Sequence, residues 1–135
     1  MSINSEYFTE KELRCRGTGE CDMNDNFMLK LEELRKKYNT PMIITSAYRH
    51  PAHNVAIGGS RYSAHTKGRA VDVLVSGKDA LRLVRLALEC GMTGIGVAQR
   101  GPHEKRFIHL DDLEDTHETP RPWIWSYKYW MKDLV

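Results

Sequence analysis

The stretch Ser63-Ala64-His65-Thr66-Lys67-Gly68-Arg69-Ala70-Val71-Asp72 limits what this chain can fold into more than any other. Residues Val71 to Val75 are almost all β-branched or apolar, which predicts a strand with Asp72 inside it and His65 on the loop that feeds it. Side chains alternate along a strand, so Ala70, Asp72 and Leu74 share one face and Val71, Val73 and Val75 the other. A second segment, Phe107-Ile108-His109-Leu110-Asp111, alternates in the same way: Ile108 and Leu110 suit a core, while Phe107, His109 and Asp111 face a cleft. An unpaired carboxylate among valines is costly to bury, and ligating a cation removes that cost. His65, Asp72 and His109 offer two imidazoles and one carboxylate, a set that suits a catalytic zinc with its fourth position open to water. The same residues admit a plain structural reading, in which the histidines are satisfied core side chains and Asp72 pairs with an arginine.

Bulk properties narrow the classes. A chain of 135 residues suits one domain, 1–135. Its 41% hydrophobic and 28% charged content is that of an ordinary soluble globular protein. A net charge of +2 with no dense Lys/Arg run argues against nucleic acid as partner, without opposing a polyanionic polymer as substrate. No apolar run approaches the ~20 residues of a membrane span. Met1 to Glu12 is polar and lacks an apolar signal core, so the protein is expected to be made and kept in the cytosol until something releases it; it is also expected to be a monomer.

In chain order, Thr9-Glu10-Lys11-Glu12 matches a capping box and predicts a short helix over 10–14. Asn24 or Asp22 can cap a helix over 25–38, with Phe27, Leu31, Leu34 and Tyr38 on its inner face. Residues 42–47 read as a buried strand, and Pro51 can start a short helix reaching Ile57. A helix over 78–90 is predicted with Ala80, Leu81, Val84 and Leu88 inward and Gly91 at its end. Gly94-Ile95-Gly96-Val97-Ala98 reads as a strand, paired as a hairpin with 106–111 across a polar turn at 99–105. The tail, with Pro120, Pro122, Trp123, Trp125, Tyr127, Tyr129 and Trp130, receives no element. Helices first, then strands around one long helix, suggest an α+β fold with an antiparallel sheet. Cys90, among Leu86, Ala87 and Leu88, is expected to be a buried thiol. Cys15 and Cys21 bracket Arg-Gly-Thr-Gly-Glu and, with no further partners in view, are expected to be reduced structural thiols. His50 and His53 have the helical spacing of a metal pair but are expected at the surface, as is His117.

Taken together, Ser46-Ala47-Tyr48-Arg49, Asn54, Gly58-Gly59, Ser63-x-His65-x-x-Gly68-x-Ala70-x-Asp72 and Phe107-Ile108-His109-Leu110-Asp111 resemble the zinc D-Ala-D-Ala carboxypeptidase family. That family includes bacterial and phage peptidoglycan peptidases and shares its fold with the hedgehog signalling domain. The resemblance spans roughly residues 8 to 127. It implies an α+β domain with flanking helices in which His65, Asp72 and His109 ligate zinc. It also implies that Arg49 lies near substrate, where a guanidinium can bind a terminal carboxylate or a developing oxyanion. Ser63 can hydrogen-bond substrate or hold the loop.

The chain departs from the better-known members at one place. They carry an acidic general base three residues before the last histidine ligand, and here that position is Arg106, which cannot accept a proton. His103, Glu104 and Asp111 are the nearby substitutes. His103 and Glu104 are favoured because the turn that holds them precedes the His109 strand, whereas an acid beside a ligand often orients it instead. The resemblance implies a zinc peptidase that cleaves stem peptides or cross-links of peptidoglycan, of the phage endolysin kind. The alternative is a non-catalytic, zinc-containing binding module of the same fold.

Overall fold

The structure, a computed structural model, describes residues 4–127. Helix α1 (Glu10–Leu13) opens with the expected capping box: the Thr9 hydroxyl accepts from Glu12 N, and the Glu12 carboxylate accepts from Thr9 N. Asn24 rather than Asp22 caps α2 (Asp25–Tyr38), accepting from Phe27 N at 2.9 Å. The expected stripe of Phe27, Leu31, Leu34 and Tyr38 is buried, joined by Met28. Then come β1 (Ile43–Ser46), α3 (Pro51–Ala56), a 3-10 turn at Ala64–Lys67, β2 (Ala70–Leu74), α4 (Gly77–Glu89) and β3 (Gly94–Ala98). A second 3-10 turn at His103–Lys105 leads into β4 (Phe107–Asp111), and β5 (Trp123–Ser126) follows. No described helix is long and apolar enough to cross a membrane.

The five strands lie in the order β1-β2-β4-β3-β5. The fold is α+β, and the β3–β4 hairpin forms as the sequence predicts. The sheet is antiparallel except at one edge, where β5 runs parallel to β3. That edge strand has no counterpart in the sequence reading. Its pairing depends on a long return of the chain after β4, and local pattern carries no sign of such a return. Tyr129 and Trp130 lie outside the described residues.

The sheet has two unlike faces. On one, Val71, Val73, Ile95, Ile108 and Leu110 pack with Phe27, Leu31 and Leu34 of α2 and Leu83 and Ala87 of α4. The other presents Asp72, His109 and Asp111, since Asp72 pairs directly with His109 and Ala70 with Asp111. A bulge in β1 keeps the two faces distinct: Ile44 pairs with Val73 and Ser46 with Asp72, leaving Thr45 as the extra residue. Ile44 thus joins the core, and Ser46 joins the polar face. Beyond β4, Asp112 is buried between two cations, Lys30 Nζ of α2 and Arg69 Nε, each 2.8 Å away. This pins the start of the loop over 112–122 to the body of the domain.

Two expectations are corrected. Helix α4 buries Ala80, Leu83, Leu86 and Ala87, while Leu81 and Leu88 are 73% and 52% exposed. The apolar stripe of this helix is wide, and its docking on α2 selects the buried part. Arg82 lies over the Tyr38 ring at 4.1 Å and donates to the Tyr38 carbonyl, so the helix is turned to bring Leu83 inward. Cys90 is only half-buried, because it stands at the helix end rather than on its inner face.

The rotation of α4 has a measurable consequence. Leu83→Ala is expected to lower the unfolding free energy by about 2–5 kcal/mol. Leu81→Ala should stay within about 0.5 kcal/mol of the parent. Urea unfolding of the two variants checks this, and equal losses would contradict the orientation described.

Candidate metal centre and cleft

His65, Asp72 and His109 converge: one ligand atom from each lies within 4.8 Å of the others, and all three side chains are buried. Two devices place them. Ser63 caps the Ala64–Lys67 turn by accepting from His65 N, and Gly68 closes it with φ +66, a left-handed conformation that suits glycine. A Cβ there would also strike the backbone of Asp22 and Met23. Asp72 and His109 face each other across β2 and β4.

The proton positions follow from the partners. His65 Nδ1 lies 2.7 Å from the Ala47 carbonyl, which can only accept, so Nδ1 carries the hydrogen and Nε2 offers a lone pair. His109 Nε2 lies 2.7 Å from Asp111 Oδ2 and donates to it, which leaves Nδ1 facing inward. His65 Nε2 and His109 Nδ1 then meet the same atom, Asp72 Oδ1, at 3.2 and 3.1 Å. Two lone pairs aimed at a carboxylate oxygen repel unless a cation or a proton lies between them. This donor set fits a zinc ion, with a second partner fixing the outer nitrogen of each imidazole. Without a metal, protons meet the same demand. Burial alone would push the Asp72 carboxyl up, but the His65 charge and the hydrogen bonds from His109 and His65 hold it well below the usual range. Burial would push His109 down, but its hydrogen bonds to Asp111 and Asp72 raise it to about 9.

Asp111 is fully engaged. Its Oδ1 accepts from Arg121 Nε at 2.9 Å and Leu113 N at 3.2 Å, and its Oδ2 accepts from His109 and from Arg121 Nη2 at 2.9 Å. Burial favours its neutral form, yet the hydrogen bonds from His109 and Arg121 hold it well below the ordinary carboxylate range. Four donors thus engage its two oxygens, one of them His109 Nε2.

The centre opens into a cleft of about 460 Å³. Arg49 lies in its wall, with Nη1 donating to Asn54 Oδ1 at 2.9 Å and Nη2 to Ser46 Oγ at 3.4 Å. Burial lowers the affinity of its guanidinium for its proton, and the Asp72 charge offsets part of that effect. Ser63 also lines the cleft, while its hydroxyl holds the His65 turn. Trp125 faces the His109 ring at 5.0 Å, and Tyr127 packs on Phe107 at 5.1 Å. His103 and Glu104, by contrast, are not in the cleft wall. Both are exposed in the turn before β4, where His103 Nδ1 meets Ser76 Oγ at 3.2 Å beyond the end of β2. Arg106 is turned back on that turn, with Nε donating to the Gly101 carbonyl. His50 caps α3 by accepting from Ala52 N, and Cys15 and Cys21 are free thiols.

The sequence reading overlooked Arg121, Glu118, Trp125 and Tyr127 as parts of this cleft. One signal was present. Gly94 and Gly96 alternate in β3 and pair with Asp111 and His109. A Cβ at Gly94 would collide with the Asp111 carboxylate, and one at Gly96 would come within 2.8 Å of Trp125 Nε1 and 2.9 Å of His109 Cβ. Alternating glycines in a strand mark close approach on one face.

The structure is a small α+β domain with a two-faced sheet, whose buried His–Asp–His set could hold a metal ion and opens into a cleft. The family model described as Peptidase M15 matches residues 6–111, and the chain belongs to that family of zinc D-Ala-D-Ala carboxypeptidase-like proteins. No curated protein matches the chain.

Gly94→Ala should displace the Asp111 carboxylate and lower stability by about 1–3 kcal/mol, as overpacking does. Urea unfolding in the presence of a chelator measures this without any contribution from metal. An unchanged midpoint would show that Asp111 can move freely.

Proposed function

We propose that the protein is a zinc-dependent peptidase that hydrolyses peptide bonds in peptidoglycan, acting as an endolysin-like enzyme on the wall after release from the cell. The observation that carries this reading is the convergence of His65 Nε2 and His109 Nδ1 on one oxygen of Asp72, each ring held in place by a partner on its other nitrogen. These three residues would hold the ion. Bound there, zinc supplies Lewis-acid polarisation of the scissile carbonyl and acidifies the attacking water.

The chain's own residues supply the rest. Arg49, braced by Asn54 and Ser46, presents a fixed positive charge to a substrate carboxylate or to the oxygen on which charge develops. Gly59 is needed for that brace, since a Cβ there would strike the Asn54 side chain. Trp125, Tyr127, Tyr62 and Phe107 give the cleft an apolar lining that shields these charges from water. The cleft volume lies in the range of about 300–1,000 Å³ for small-ligand sites, enough for a short stretch of peptide.

A second reading, a zinc-containing module that binds wall or protein without cleaving, is favoured by one observation: Arg106 stands where the better-known relatives carry their acid, and it donates to the Gly101 carbonyl outside the cleft wall. The two readings separate on purified cell walls. The enzyme reading expects clearing of isolated walls that stops with chelator and returns with zinc, and mass spectrometry of the released fragments identifies the bond cut. Zinc bound at one ion per chain with no fragment released would favour the binding module.

Two variants sharpen the test. The double variant His65→Ala, His109→Ala should lose its zinc by metal analysis, and full occupancy would overturn the ligand assignment. Arg49→Ala should keep zinc and lose about 10²–10³-fold in kcat, as removal of an oxyanion donor does. A change confined to KM would instead assign Arg49 to ground-state binding of a carboxylate.

A further inference from the structure

With His103 and Glu104 outside the cleft, the zinc-peptidase reading lacks a proton acceptor. Among the described residues, the acids in the cleft wall are Asp72, Asp111 and Glu118. Asp72 Oδ1 is shared by both imidazoles. Asp111 accepts from four donors, its carboxylate gripped by Arg121, His109 and Leu113 N. Tyr127 is no substitute, because its ring is packed on Phe107 and burial disfavours the charged phenolate. That leaves Glu118.

Glu118 is placed by a braced turn rather than by a loose loop. Thr116 N donates to the Thr119 carbonyl at 3.1 Å, Thr119 N donates to Thr116 Oγ1 at 3.0 Å, and the two hydroxyls meet at 2.7 Å. Thr119 is buried, and Arg121 N donates to Asp115 Oδ1 at 2.9 Å, closing the next step of the loop. The loop is therefore tied at both ends: at Asp112 by Lys30 and Arg69, and at Arg121 by Asp111. Glu118 is carried at the cleft rim between those ties, exposed, and among the described residues no hydrogen bond or ion pair engages its carboxylate. Glu118 thus lines the cleft from a braced support with its carboxylate unengaged among the described residues, and a free acid on such a support is what proton transfer to and from substrate requires.

We propose that Glu118 is the general base and acid of the hydrolysis, in place of the acid that Arg106 replaces. The inference rests on the peptidase reading above. As the water oxygen bonds to the carbonyl carbon, one of its protons passes to the Glu118 carboxylate. As the carbon–nitrogen bond breaks, Glu118 returns that proton to the leaving nitrogen. The new carboxylic acid gives up its remaining proton to the amine or to solvent, and Glu118 ends as it began.

The test uses the full chain loaded with zinc and isolated cell walls as substrate. The wild-type rate is measured first: zinc-loaded wild type that releases no fragment overturns the peptidase reading, and this proposal with it. Given an active wild type, Glu118→Gln is expected to keep its zinc and its unfolding midpoint and to lose about 10²–10⁴-fold in rate. Glu118→Asp should recover part of that loss, because it restores the carboxylate at a shorter reach. A Glu118→Gln rate within about tenfold of wild type overturns the assignment and leaves the peptidase reading standing. Loss of zinc from Glu118→Gln also overturns it, since the residue would then serve the metal site. His103→Ala and Glu104→Gln should both hydrolyse at the wild-type rate, and a loss in either that matches Glu118→Gln would return the role to that turn.

Discussion

A carboxylate buried against two imidazoles that both aim lone pairs at one of its oxygens is unstable by itself. At Asp72 this conflict is built in: the Ala47 carbonyl and Asp111 take the outer hydrogens of His65 and His109, so both inner nitrogens must face Oδ1. In a dry site the conflict is large, because little solvent screens it. It resolves when positive charge enters the space between the donors, as a proton or as a metal ion. The protonic form is favoured at His109, where hydrogen bonds to Asp111 and Asp72 outweigh burial and push the imidazole up. The remaining polar structure around the centre can be understood as holding this arrangement in place.

Holding it requires a sheet that is apolar on one side and polar on the other, with room on the polar side. The valines and isoleucines of β2 and β4 anchor the sheet on α2 and α4, and the bulge in β1 keeps Ile44 and Ser46 on their proper faces. The two glycines of β3 supply the room, leaving space for Asp111, His109 and Trp125 to lie close over the strand. Arg121 grips Asp111 with two nitrogens, in the forked geometry that fixes a carboxylate in direction as well as charge. A chain of contacts thus runs from Arg121 through Asp111 and His109 to Asp72. Its Arg121 end lies on the same loop that carries Glu118.

Much of this was legible in the sequence because it depends on local periodicity. Alternation in Ala70–Val75 and Phe107–Asp111 assigns Asp72, His109 and Asp111 to one face, and the structure agrees residue by residue in the pairing of β2 with β4. Capping residues mark the starts of α1 and α2, where a side-chain oxygen meets backbone hydrogens only a few residues away. Residues brought in from elsewhere were not legible. Arg121, Glu118, Trp125 and Tyr127 reach the cleft only because the chain returns along β3 as a parallel edge strand, and the side chains of 112–122 show no period that announces it.

The sequence by itself therefore determined which side chains of each strand share a face and where helices begin, since these follow from spacing along the backbone; the three candidate metal ligands were offered by their residue types and assigned by the family resemblance. Tertiary structure decided which part of the wide apolar stripe of α4 is buried, that Asp111 is held by Arg121 and turned toward His109, and that the turn bearing His103 and Glu104 lies away from the cleft. The physical reason is the same in each case. A helix's rotation, a carboxylate's partner and a loop's destination are set by surfaces and charges from distant parts of the chain, and those exist only once the sheet and its helices have packed.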